Sequence, residues 1–326
     1  MKRILTLALV SILSTSCLAQ QHPGAEEFAA KAASEYSLDQ EEVTLLLQNA
    51  RFKQSIVDAI SRPAEAKPWY DYRPIFLTEK RIKGGVKFWH ENEALIAQAS
   101  EKFGVDPQII VAIIGVETNY GGNTGGYRVL DALTTLSFYY PDTGNDRSDF
   151  FSRELMNFLV LGGEESLPME DVTGSYAGAM GLGQFMPSSY REYAVDMDGD
   201  GRRDLWSSLP DVIGSVANYL HRHGWELGQP ITYPAMMAAD ANMELVTKRD
   251  FKPKKSVAEI AEGGFTSSEP VSGDTLAAVA RLEEKDGDHH FITFKNFYVI
   301  TRYNRSPLYA MAVYELSEAI RSGFEQ

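Results

Sequence analysis

Apolar and polar side chains alternate with helical spacing through most of this chain. Apolar residues recur every three or four positions, which is typical of helices that bury one face. This spacing predicts two helices within residues 25–60, a helical segment at about 78–103, and a final helix at about 306–321. Prolines within residues 62–74 predict a connector between the first two regions, because proline interrupts helices and favours turns.

The pattern changes between about residue 229 and residue 296, where short apolar runs lie between polar turns. Such runs are typical of strands, which favour β-branched and aromatic residues. The predicted strands lie near residues 230–233, 243–246, 276–282 and 290–294. Together with the helical spacing elsewhere, they predict an α+β fold that is mainly helical.

At 326 residues and 44% hydrophobic content, the chain can bury a substantial core. A leader at residues 1–19 is followed by an N-terminal helical part at residues 25–103. Residues 104–228 and 295–326 are predicted to form the core. A small antiparallel β-rich domain at residues 229–294 is inserted before the chain returns to that core.

One predicted helix is apolar at almost every position of residues 109–116 and leads directly to Glu117. Asp106 and Pro107 are typical of an N-cap and a first helical residue, and the Gly121–Gly122 pair predicts the stop. A helix that is apolar on every face lies in a core. Partial burial and the negative end of the helix dipole are expected to raise the pKa of Glu117, which suits a general acid. A solvated glutamate at a helix end is the alternative.

A second segment, residues 174–190, contains four glycines within its first ten positions. Glycine permits a close approach of the backbone to a ligand or to another chain segment. Ser175 and Gln184 bracket the run, and both side chains can hydrogen-bond a neutral polar ligand. Close helix packing is the alternative explanation for the glycines. The segment lacks the dinucleotide fingerprint and the Gly-Lys-Ser/Thr ending of a nucleotide loop.

Gly-Val-Glu-Thr at residues 115–118 and Gly-Ala-Met-Gly-Leu-Gly-Gln-Phe-Met-Pro-Ser at residues 178–188 resemble the lytic murein transglycosylases, within them the membrane-bound type B. The similarity continues through residues 67–70, 131–138, 214–219 and 296–304. The resemblance implies a lysozyme-like core that binds peptidoglycan glycan strands. It implies cleavage of the β-1,4 bond between N-acetylmuramic acid and N-acetylglucosamine, with a 1,6-anhydromuramoyl product in place of a reducing sugar.

By this resemblance, Glu117 is the catalytic residue. It would protonate the leaving oxygen and then, as a carboxylate, take the proton of the substrate's own C6 hydroxyl, which attacks C1. Residues expected to bind or line the glycan cleft are Ser175, Gln184, Tyr303, Asn304, Tyr120, Phe185 and Met186. Tyr303 is expected near the acid, and a core tyrosine with a satisfied hydroxyl is its alternative.

Ordinary glycosidases need two carboxylates that flank the bond, and no second carboxylate stands in a setting like that of Glu117. Asp131 is interpreted as a helix cap and Glu154 as a solvated residue of an amphipathic stretch. Two other function classes stay open. A hydrolytic muramidase would use the same cleft with a second carboxylate, and a non-catalytic peptidoglycan-binding or calcium-binding protein would not need Glu117.

Residues 196–206 begin with Asp-x-Asp-x-Asp-Gly, the opening half of an EF-hand calcium loop. Ca²⁺ prefers oxygen ligands, and closely spaced aspartates repel one another without a cation. Ser207 stands where the usual glutamate would, and the family's altered loop suggests Asp211 as the missing ligand. The predicted ligands of a structural Ca²⁺ are Asp196, Asp198, Asp200, Arg202 and Asp211. A solvated acidic turn is the alternative.

The formal net charge is −14 and the pI is about 4.9. No basic run interrupts this acidic chain, so binding to nucleic acid through charge is not expected. Sugar rings are neutral and are recognised by hydrogen bonds and aromatic stacking, so an acidic protein can bind a glycan. No organic cofactor is predicted.

The first nineteen residues have the form of an export signal, with Lys2 and Arg3 before an apolar stretch at residues 4–13. That stretch is too short to span a bilayer, and export predicts a periplasmic protein. Cys17 resembles the lipidated cysteine of a bacterial lipoprotein signal, which would anchor the chain in the outer membrane. Cleavage after Ala19 is the alternative, and both stay open. Cys17 is the only cysteine, so no intramolecular disulfide can form.

Overall fold

The computed structural model describes residues 21–62 and 67–326. The predicted signal peptide and Cys17 lie outside these residues. The described chain forms two compact units, which divide between Arg51 and Phe52. Neither unit contains, within the described residues, a helix long and apolar enough to cross a bilayer.

The first unit is a pair of helices, α1 (Ala25–Tyr36) and α2 (Gln40–Asn49). Ser37 ends α1 in the left-handed conformation, with φ at 57°. Asp39 caps α2 by accepting a 2.8 Å hydrogen bond from the N–H of Glu42. The predicted break near residue 37 is confirmed. Extended backbone at Ala50 adds a second break, so the region 25–60 holds a third helix.

The second unit is mainly helical. Its helices are α3 (Gln54–Ile60), α4 (Trp69–Phe76), α5 (Glu79–Glu91), α6 (Glu93–Phe103), α7 (Pro107–Thr118), α8 (Val129–Phe138), α9 (Ser148–Glu165), α10 (Pro187–Tyr193), α11 (Leu209–Arg222), α12 (Val257–Glu262), α13 (Lys295–Tyr303) and α14 (Pro307–Phe324). The predicted connector is wrong in its second half, because α4 forms there with Pro74 inside it. The predicted segment at 78–103 is two helices that meet at Asn92.

Helix α7 is the centre of the second unit, as its sequence predicts. Its apolar residues are fully or almost fully buried, and it packs against α5, α6, α11 and α14. Pro107 occupies the first helical position. The helix ends before the predicted Gly121–Gly122 stop, because Asn119 and Tyr120 already adopt left-handed backbone, with φ at 52° and 59°. Glu117 therefore lies in the last turn of α7, about one turn before the glycine pair.

A five-stranded antiparallel sheet occupies most of the predicted β-rich region. Its strands are β3 (Thr232–Met237), β4 (Lys255–Ser256), β5 (Phe265–Ser267), β6 (Leu276–Glu284) and β7 (Gly287–Thr293), in the order β4-β6-β7-β3-β5. Helix α12 packs against it over a small core that includes Phe265 and Ile292. The strand predicted at 243–246 is wrong, since Met243–Leu245 form a 3₁₀ turn. A separate pair, β1 (Tyr127–Arg128) and β2 (Thr173–Gly174), leads into the glycine-rich segment. The predicted α+β class, mainly helical, is confirmed.

Candidate active site

Glu117 lies in the last turn of α7, and its side chain is half-buried. The hydroxyl of Tyr309 donates a hydrogen bond to Oε1 of Glu117 at 2.5 Å. Tyr309 is itself buried in the first turn of α14, where Oγ of Ser306 caps its backbone N–H. The carboxyl group is therefore oriented by a residue that lies 192 positions later in the chain.

Tyr303 lies beside this pair, at the last residue of α13. Its hydroxyl donates to the carbonyl oxygen of Gly183 at 2.7 Å, and its ring stacks with that of Tyr309, with centroids 6.5 Å apart. Burial, and then the charge of Glu117, raises the pKa of both tyrosines well above the usual value. Both hydroxyls therefore stay protonated beside Glu117 and act as donors.

Thr118 joins the end of α7 to the glycine-rich segment. Its buried hydroxyl donates to the carbonyl oxygen of Leu182 at 2.9 Å and accepts from the N–H of Gly121 at 3.1 Å. Thr118 thus fixes the distance between the last turn of α7, which carries Glu117, and residues 181–183. This contact brings together the two segments that the sequence pattern singled out.

The glycine-rich loop, residues 174–186, packs closely against its own protein. Gly178 and Gly181 have φ at 82° and 70°, where side chains are strained. A Cβ at Gly178 would contact Leu133 at 2.5 Å, and one at Gly181 would overlap the carbonyl oxygen of Leu205. These two glycines are therefore explained by close packing. Gly178 packs against Leu133 of helix α8, as the alternative of close helix packing expects, whereas Gly181 packs against the loop backbone at Leu205.

The polar side chains at the two ends of the loop hold its backbone. Oγ of Ser175 accepts hydrogen bonds from the N–H groups of Ala177 and Ala179, at 3.2 and 3.0 Å. Nε2 of Gln184 donates to the carbonyl oxygens of Gly181 and Thr124, at 2.8 and 3.2 Å. Both residues are half-buried, so each shapes the loop and keeps an accessible edge.

Phe185 supports Tyr303 from within the protein. It is 2% exposed, and its ring packs edge-on against Tyr303 and Tyr219, with centroid distances of 5.7 and 5.8 Å. Its burial makes it a packing residue and not the lining residue that was predicted. Met186 is half-buried and occupies the N-cap position of α10.

Tyr120 also differs from its predicted place. Its hydroxyl donates to the carbonyl oxygen of Arg81 at 3.0 Å, and its ring stacks on Phe88. The side chain therefore packs between α5 and α7, with its hydroxyl occupied there. Asn304 is half-buried and directly follows Tyr303, where its carbonyl oxygen accepts from the N–H of Ser306 at 2.7 Å.

A second candidate site, the aspartate loop (residues 196–207), follows α10. Its carboxylates cap its own turn: Asp196 accepts from the N–H groups of Gly199 and Gly201, at 2.6 and 2.8 Å. Oδ2 of Asp198 accepts from the hydroxyl of Ser208 at 2.7 Å. Backbone hydrogen bonds of this kind lower the pKa of Asp196.

Asp211 closes the aspartate loop from the first turn of α11. It is fully buried and accepts from the N–H groups of Met197 and Asp204, at 2.7 and 2.8 Å. Carboxylate oxygens of Asp196, Asp198 and Asp211 lie within 4.8 Å of one another. Asp200 and Arg202, the other predicted ligands, are exposed and lie outside this three-carboxylate group. These three carboxylates supply oxygen ligands of the kind that Ca²⁺ prefers, and they are part of the roughly six to eight oxygens that the ion takes.

A sequence model described as a transglycosylase SLT domain matches residues 20–318. The chain belongs to this family. It is 40% identical to membrane-bound lytic murein transglycosylase B of Escherichia coli K12 over 309 residues, which cover 92% of this chain and 83% of that protein. The predicted resemblance is confirmed, and the chain is a peptidoglycan lytic transglycosylase.

Two solved structures place the fold within the same family. Soluble lytic transglycosylase SltB1 of Pseudomonas aeruginosa is 45% identical, with a TM-score of 0.85 over 93% of this chain and 100% of that one. The Escherichia coli lytic transglycosylase Slt35 in complex with calcium is 39% identical, with a TM-score of 0.81 over 94% and 95% of the two chains. The predicted lysozyme-like class of this transglycosylase is confirmed.

Two carboxylates of the transglycosylase were misassigned from sequence. Asp131 is not the N-cap residue: α8 begins at Val129, and Asp131 lies buried in its first turn, where it accepts from Nη1 of Arg128 at 3.0 Å. Glu154 is 4% exposed and accepts from the N–H and the hydroxyl of Ser188, at 2.9 and 2.7 Å. Each of these two carboxylates therefore makes a structural contact, Asp131 with Arg128 and Glu154 with Ser188.

Two residues that hold the last turn of α7 were not predicted from the sequence. They are Tyr309, which donates to Glu117, and Thr118, which donates to Leu182. Thr118 lies inside the Gly-Val-Glu-Thr motif at residues 115–118, and a hydroxyl directly after the candidate acid is a sequence signal for such a contact. Tyr309 carries no such signal, because a tyrosine on the apolar side of a helix is ordinarily a core residue.

Proposed function

We propose that Glu117 serves this lytic transglycosylase as both its general acid and its general base. The observation that carries the proposal is the hydrogen bond from buried Tyr309 to Oε1 of Glu117. It orients one carboxyl group at the exit of an otherwise apolar helix. The charge of Glu117 raises the pKa of both Tyr303 and Tyr309, so its carboxylate lies near both tyrosines.

The proposed reaction has two proton transfers through the same group. Protonated Glu117 gives its proton to the oxygen that links the two sugars, and the bond between C1 and that oxygen breaks. The C6 hydroxyl of the muramoyl residue attacks C1 and forms the 1,6-anhydro ring. Its proton passes to the Glu117 carboxylate, which restores the acid, so water does not take part.

Polar groups around Glu117 are assigned to the glycan. The Ser175 hydroxyl accepts from two backbone N–H groups and can still donate to a sugar oxygen. Gln184 uses its amide nitrogen within the loop, so its Oε1 is the atom offered to a sugar hydroxyl. Tyr303 is assigned to hold Gly183 and the edge of the cleft, with the amide side chain of Asn304 beside it.

Glu117→Gln tests the assignment, because glutamine is nearly isosteric but cannot transfer the proton. We expect loss of anhydromuropeptide release from sacculi by about 10⁴-fold or more, since a typical acid–base contribution is roughly 10² to 10⁴-fold and this group acts twice. Products are measured by mass spectrometry, in which anhydro ends are lighter than reducing ends by one water. Glu101→Gln, an exposed glutamate on α6, is the matched control.

Two results would contradict the proposal. Release of anhydromuropeptides by Glu117→Gln at near wild-type rate would remove Glu117 from the chemistry. Reducing ends in the wild-type digest would leave Glu117 as an acid but would replace the intramolecular attack with attack by water. Unchanged far-ultraviolet circular dichroism of the variant excludes loss of folding as the cause.

We further propose that the aspartate loop binds a structural Ca²⁺. The support is the group formed by Asp196, Asp198 and Asp211, together with the calcium complex of the related Slt35. Asp200 and Arg202 are retained as candidate ligands from the loop pattern. The loop connects α10 to α11, so the ion would fix the position of α11 relative to the glycine-rich loop.

The leader and the related membrane-bound enzyme support a periplasmic location. Two forms of the mature protein follow from the sequence: a lipoprotein held to the outer membrane through Cys17, or a protein released by cleavage after Ala19. The mass of the mature N-terminal peptide, with or without lipid, distinguishes them.

A further inference from the structure

Leu182, in the glycine-rich loop, makes a backbone hydrogen bond to each of two different segments. Its carbonyl oxygen accepts from the hydroxyl of Thr118 at 2.9 Å, and its N–H donates to the carbonyl oxygen of Leu205 at 2.8 Å. Thr118 is the last residue of α7, and Leu205 belongs to the aspartate loop. One residue therefore connects the helix turn that carries Glu117 to the aspartate loop.

The bond from Thr118 to Leu182 is not the local bond that a helical threonine usually makes. Such a threonine donates to the carbonyl oxygen four residues earlier in its own helix. Oγ1 of Thr118 lies 3.3 Å from that oxygen, on Ile114, and 2.9 Å from the carbonyl oxygen of Leu182. A hydroxyl has one proton to donate, and the shorter distance assigns it to Leu182. Thr118 and Leu182 are both buried, so water cannot easily replace this bond.

On its other side, Leu205 is held in place by a buried carboxylate. The N–H of Asp204, the residue before it, donates to Oδ2 of Asp211 at 2.8 Å. Oδ1 of Asp211 accepts from the N–H of Met197 at 2.7 Å. Asp211 thus holds the aspartate loop near its start and near its end, and the position of Leu205 depends on this carboxylate.

Close packing makes the connection stiff. A Cβ at Gly181 would overlap the carbonyl oxygen of Leu205, so the two loops touch directly beside Leu182. Met180 and Phe185 exchange two backbone hydrogen bonds of 2.9 Å, which close the glycine-rich loop around Leu182. A close-packed interior transmits a displacement and does not absorb it. A shift of Leu205 therefore moves Leu182, and with it the end of α7.

Glu117 is held from two sides at the end of α7. The hydroxyl of Tyr309 orients its carboxyl group, and Thr118, the next residue, ties its backbone to Leu182. Proton transfer depends steeply on position, since a misplacement of about 1 Å can lower a rate about a hundredfold. The bond from Thr118 thus bears on the rate of the reaction as well as on the stability of the fold.

We propose that Thr118 is a positioning residue for Glu117, and that through Thr118 and Leu182 the aspartate loop sets the place of the acid. The inference rests on the proposed role of Glu117 and adds to it a coupling between the aspartate loop and kcat. An ordered aspartate loop then raises the rate of cleavage in addition to stabilising the protein.

The first test removes the hydroxyl of Thr118 and keeps its shape. For Thr118→Val we expect kcat on soluble glycan strands to fall about tenfold to a hundredfold. KM should stay within about twofold, because no group assigned to the glycan is removed. Thr118→Ser keeps the hydroxyl and should restore most of kcat. Thr134→Val is the matched control, because Thr134 is fully buried and its hydroxyl has no hydrogen-bond partner among the described residues.

A double-mutant cycle tests the connection to the aspartate loop without a metal ion. Asp211→Asn removes one of the two acceptor oxygens that hold the loop. The losses in kcat from two distant, independent substitutions multiply, because their free energies add. In chelator, we expect Thr118→Val and Asp211→Asn together to lower kcat by no more than the larger single loss. Once the bond from Thr118 to Leu182 is absent, the aspartate loop no longer affects Glu117.

Calcium gives a second test, with a readout other than activity. Relative to chelator, Ca²⁺ should slow hydrogen exchange of the Leu182 N–H about tenfold or more, because a ligand of the folded loop suppresses its local opening. The same slowing is expected in Thr118→Val, since the bond from Leu182 to Leu205 is retained. Ca²⁺ should raise kcat in the wild type and leave kcat of Thr118→Val unchanged.

An unchanged kcat in Thr118→Val overturns the inference, and so does a loss that Thr118→Ser shares in full. Losses that multiply in the double variant overturn it, as does a kcat that responds to Ca²⁺ equally in the wild type and in Thr118→Val. Circular dichroism checks the folding of each variant. If Thr118→Val does not fold, Thr118→Cys, with its weak S–H donor, replaces it in every comparison.

These outcomes are distinct from failure of the two earlier proposals. Absence of calcium binding in titration calorimetry would remove the metal site, and the cycle in chelator would still decide the role of Thr118. Turnover by Glu117→Gln would remove the acid, whatever the Thr118 variants do.

Discussion

The glycine-rich loop and the aspartate loop of the second unit each lead into a helix that a buried carboxylate holds. The two loops differ in what surrounds them. The glycine-rich loop leads into α10, whose start is held by buried Glu154, and the aspartate loop leads into α11, where buried Asp211 holds it. Each of these carboxylates accepts two hydrogen bonds, and burial raises the pKa of both. A buried acid that anchors a turn is thus a recurring device in this enzyme.

The space around one glycine in each loop shows how the packing of the two loops differs. Gly181 and Gly199 both adopt left-handed backbone, with φ at 70° and 79°. A Cβ at Gly181 would overlap the carbonyl oxygen of Leu205, whereas one at Gly199 would meet nothing within 4 Å. The glycine-rich loop is therefore filled by protein and has a fixed shape beside Glu117. The aspartate loop is open and leaves its carboxylates accessible to an ion.

The largest expected stability effect compares Gly181→Ala with Gly199→Ala. Left-handed backbone disfavours alanine by about 1–2 kcal/mol at both positions, and overpacking adds about 1–3 kcal/mol at Gly181 alone. We expect Gly181→Ala to lower the free energy of unfolding by about 3 kcal/mol and Gly199→Ala by about 1 kcal/mol. Urea denaturation measures both. Equal losses would mean that the two loops are not packed differently.

Calcium should act on the aspartate loop with a somewhat smaller effect. Ca²⁺ at about 100 times its dissociation constant is expected to raise the free energy of unfolding by about 2.7 kcal/mol, because it binds the folded chain. Asp198→Asn should remove most of this increment. Asp240→Asn changes the net charge equally at an exposed position and should retain it. Identical thermal melts with calcium and with chelator would exclude the site.

The smallest effect concerns pH and Glu154. Burial raises its pKa above the usual value near 4.5, against the opposing hydrogen bonds of Ser188. Above that value, the unfolded chain loses this proton before the folded chain does, so this residue's contribution to stability falls as pH rises towards the folded pKa. Glu154→Gln should remove that fall, because glutamine does not titrate. Its amide oxygen can still accept from the N–H of Ser188, so the turn is retained. Parallel wild-type and variant stability profiles from pH 4 to pH 7 would contradict this.

Features with a local cause were predictable from the sequence. The buried helix α7 follows from its unbroken apolar run after Asp106 and Pro107, and the side-chain-capped turn at Asp196 follows from its alternating aspartates. The strands β6 and β7 follow from their apolar residues. The proposal that Glu117 is catalytic remains a prediction that rests on the motif and on the contacts described above.

Features that depend on distant partners were not predictable. Tyr120 and Phe185 stand beside motif residues, but their rings turn into the protein because Gly85 and Gly115 leave space for one and Tyr219 packs against the other. Glu154 looked solvated because its partner Ser188 lies 34 residues away. Spacing along the chain reports which face of an element is apolar, and not which element will cover it.

The hydrogen bond from Tyr309 to Glu117 forms only when helix α14 has docked on α7. A chain is synthesised from its N-terminus, so α7 and both loops exist before Tyr309 does. Until α14 is made and packed, this hydrogen bond cannot orient the carboxyl group. A chain that stops before α14 therefore has Glu117 without Tyr309, so the proposed catalytic centre of this lytic transglycosylase assembles only after α14 has been made.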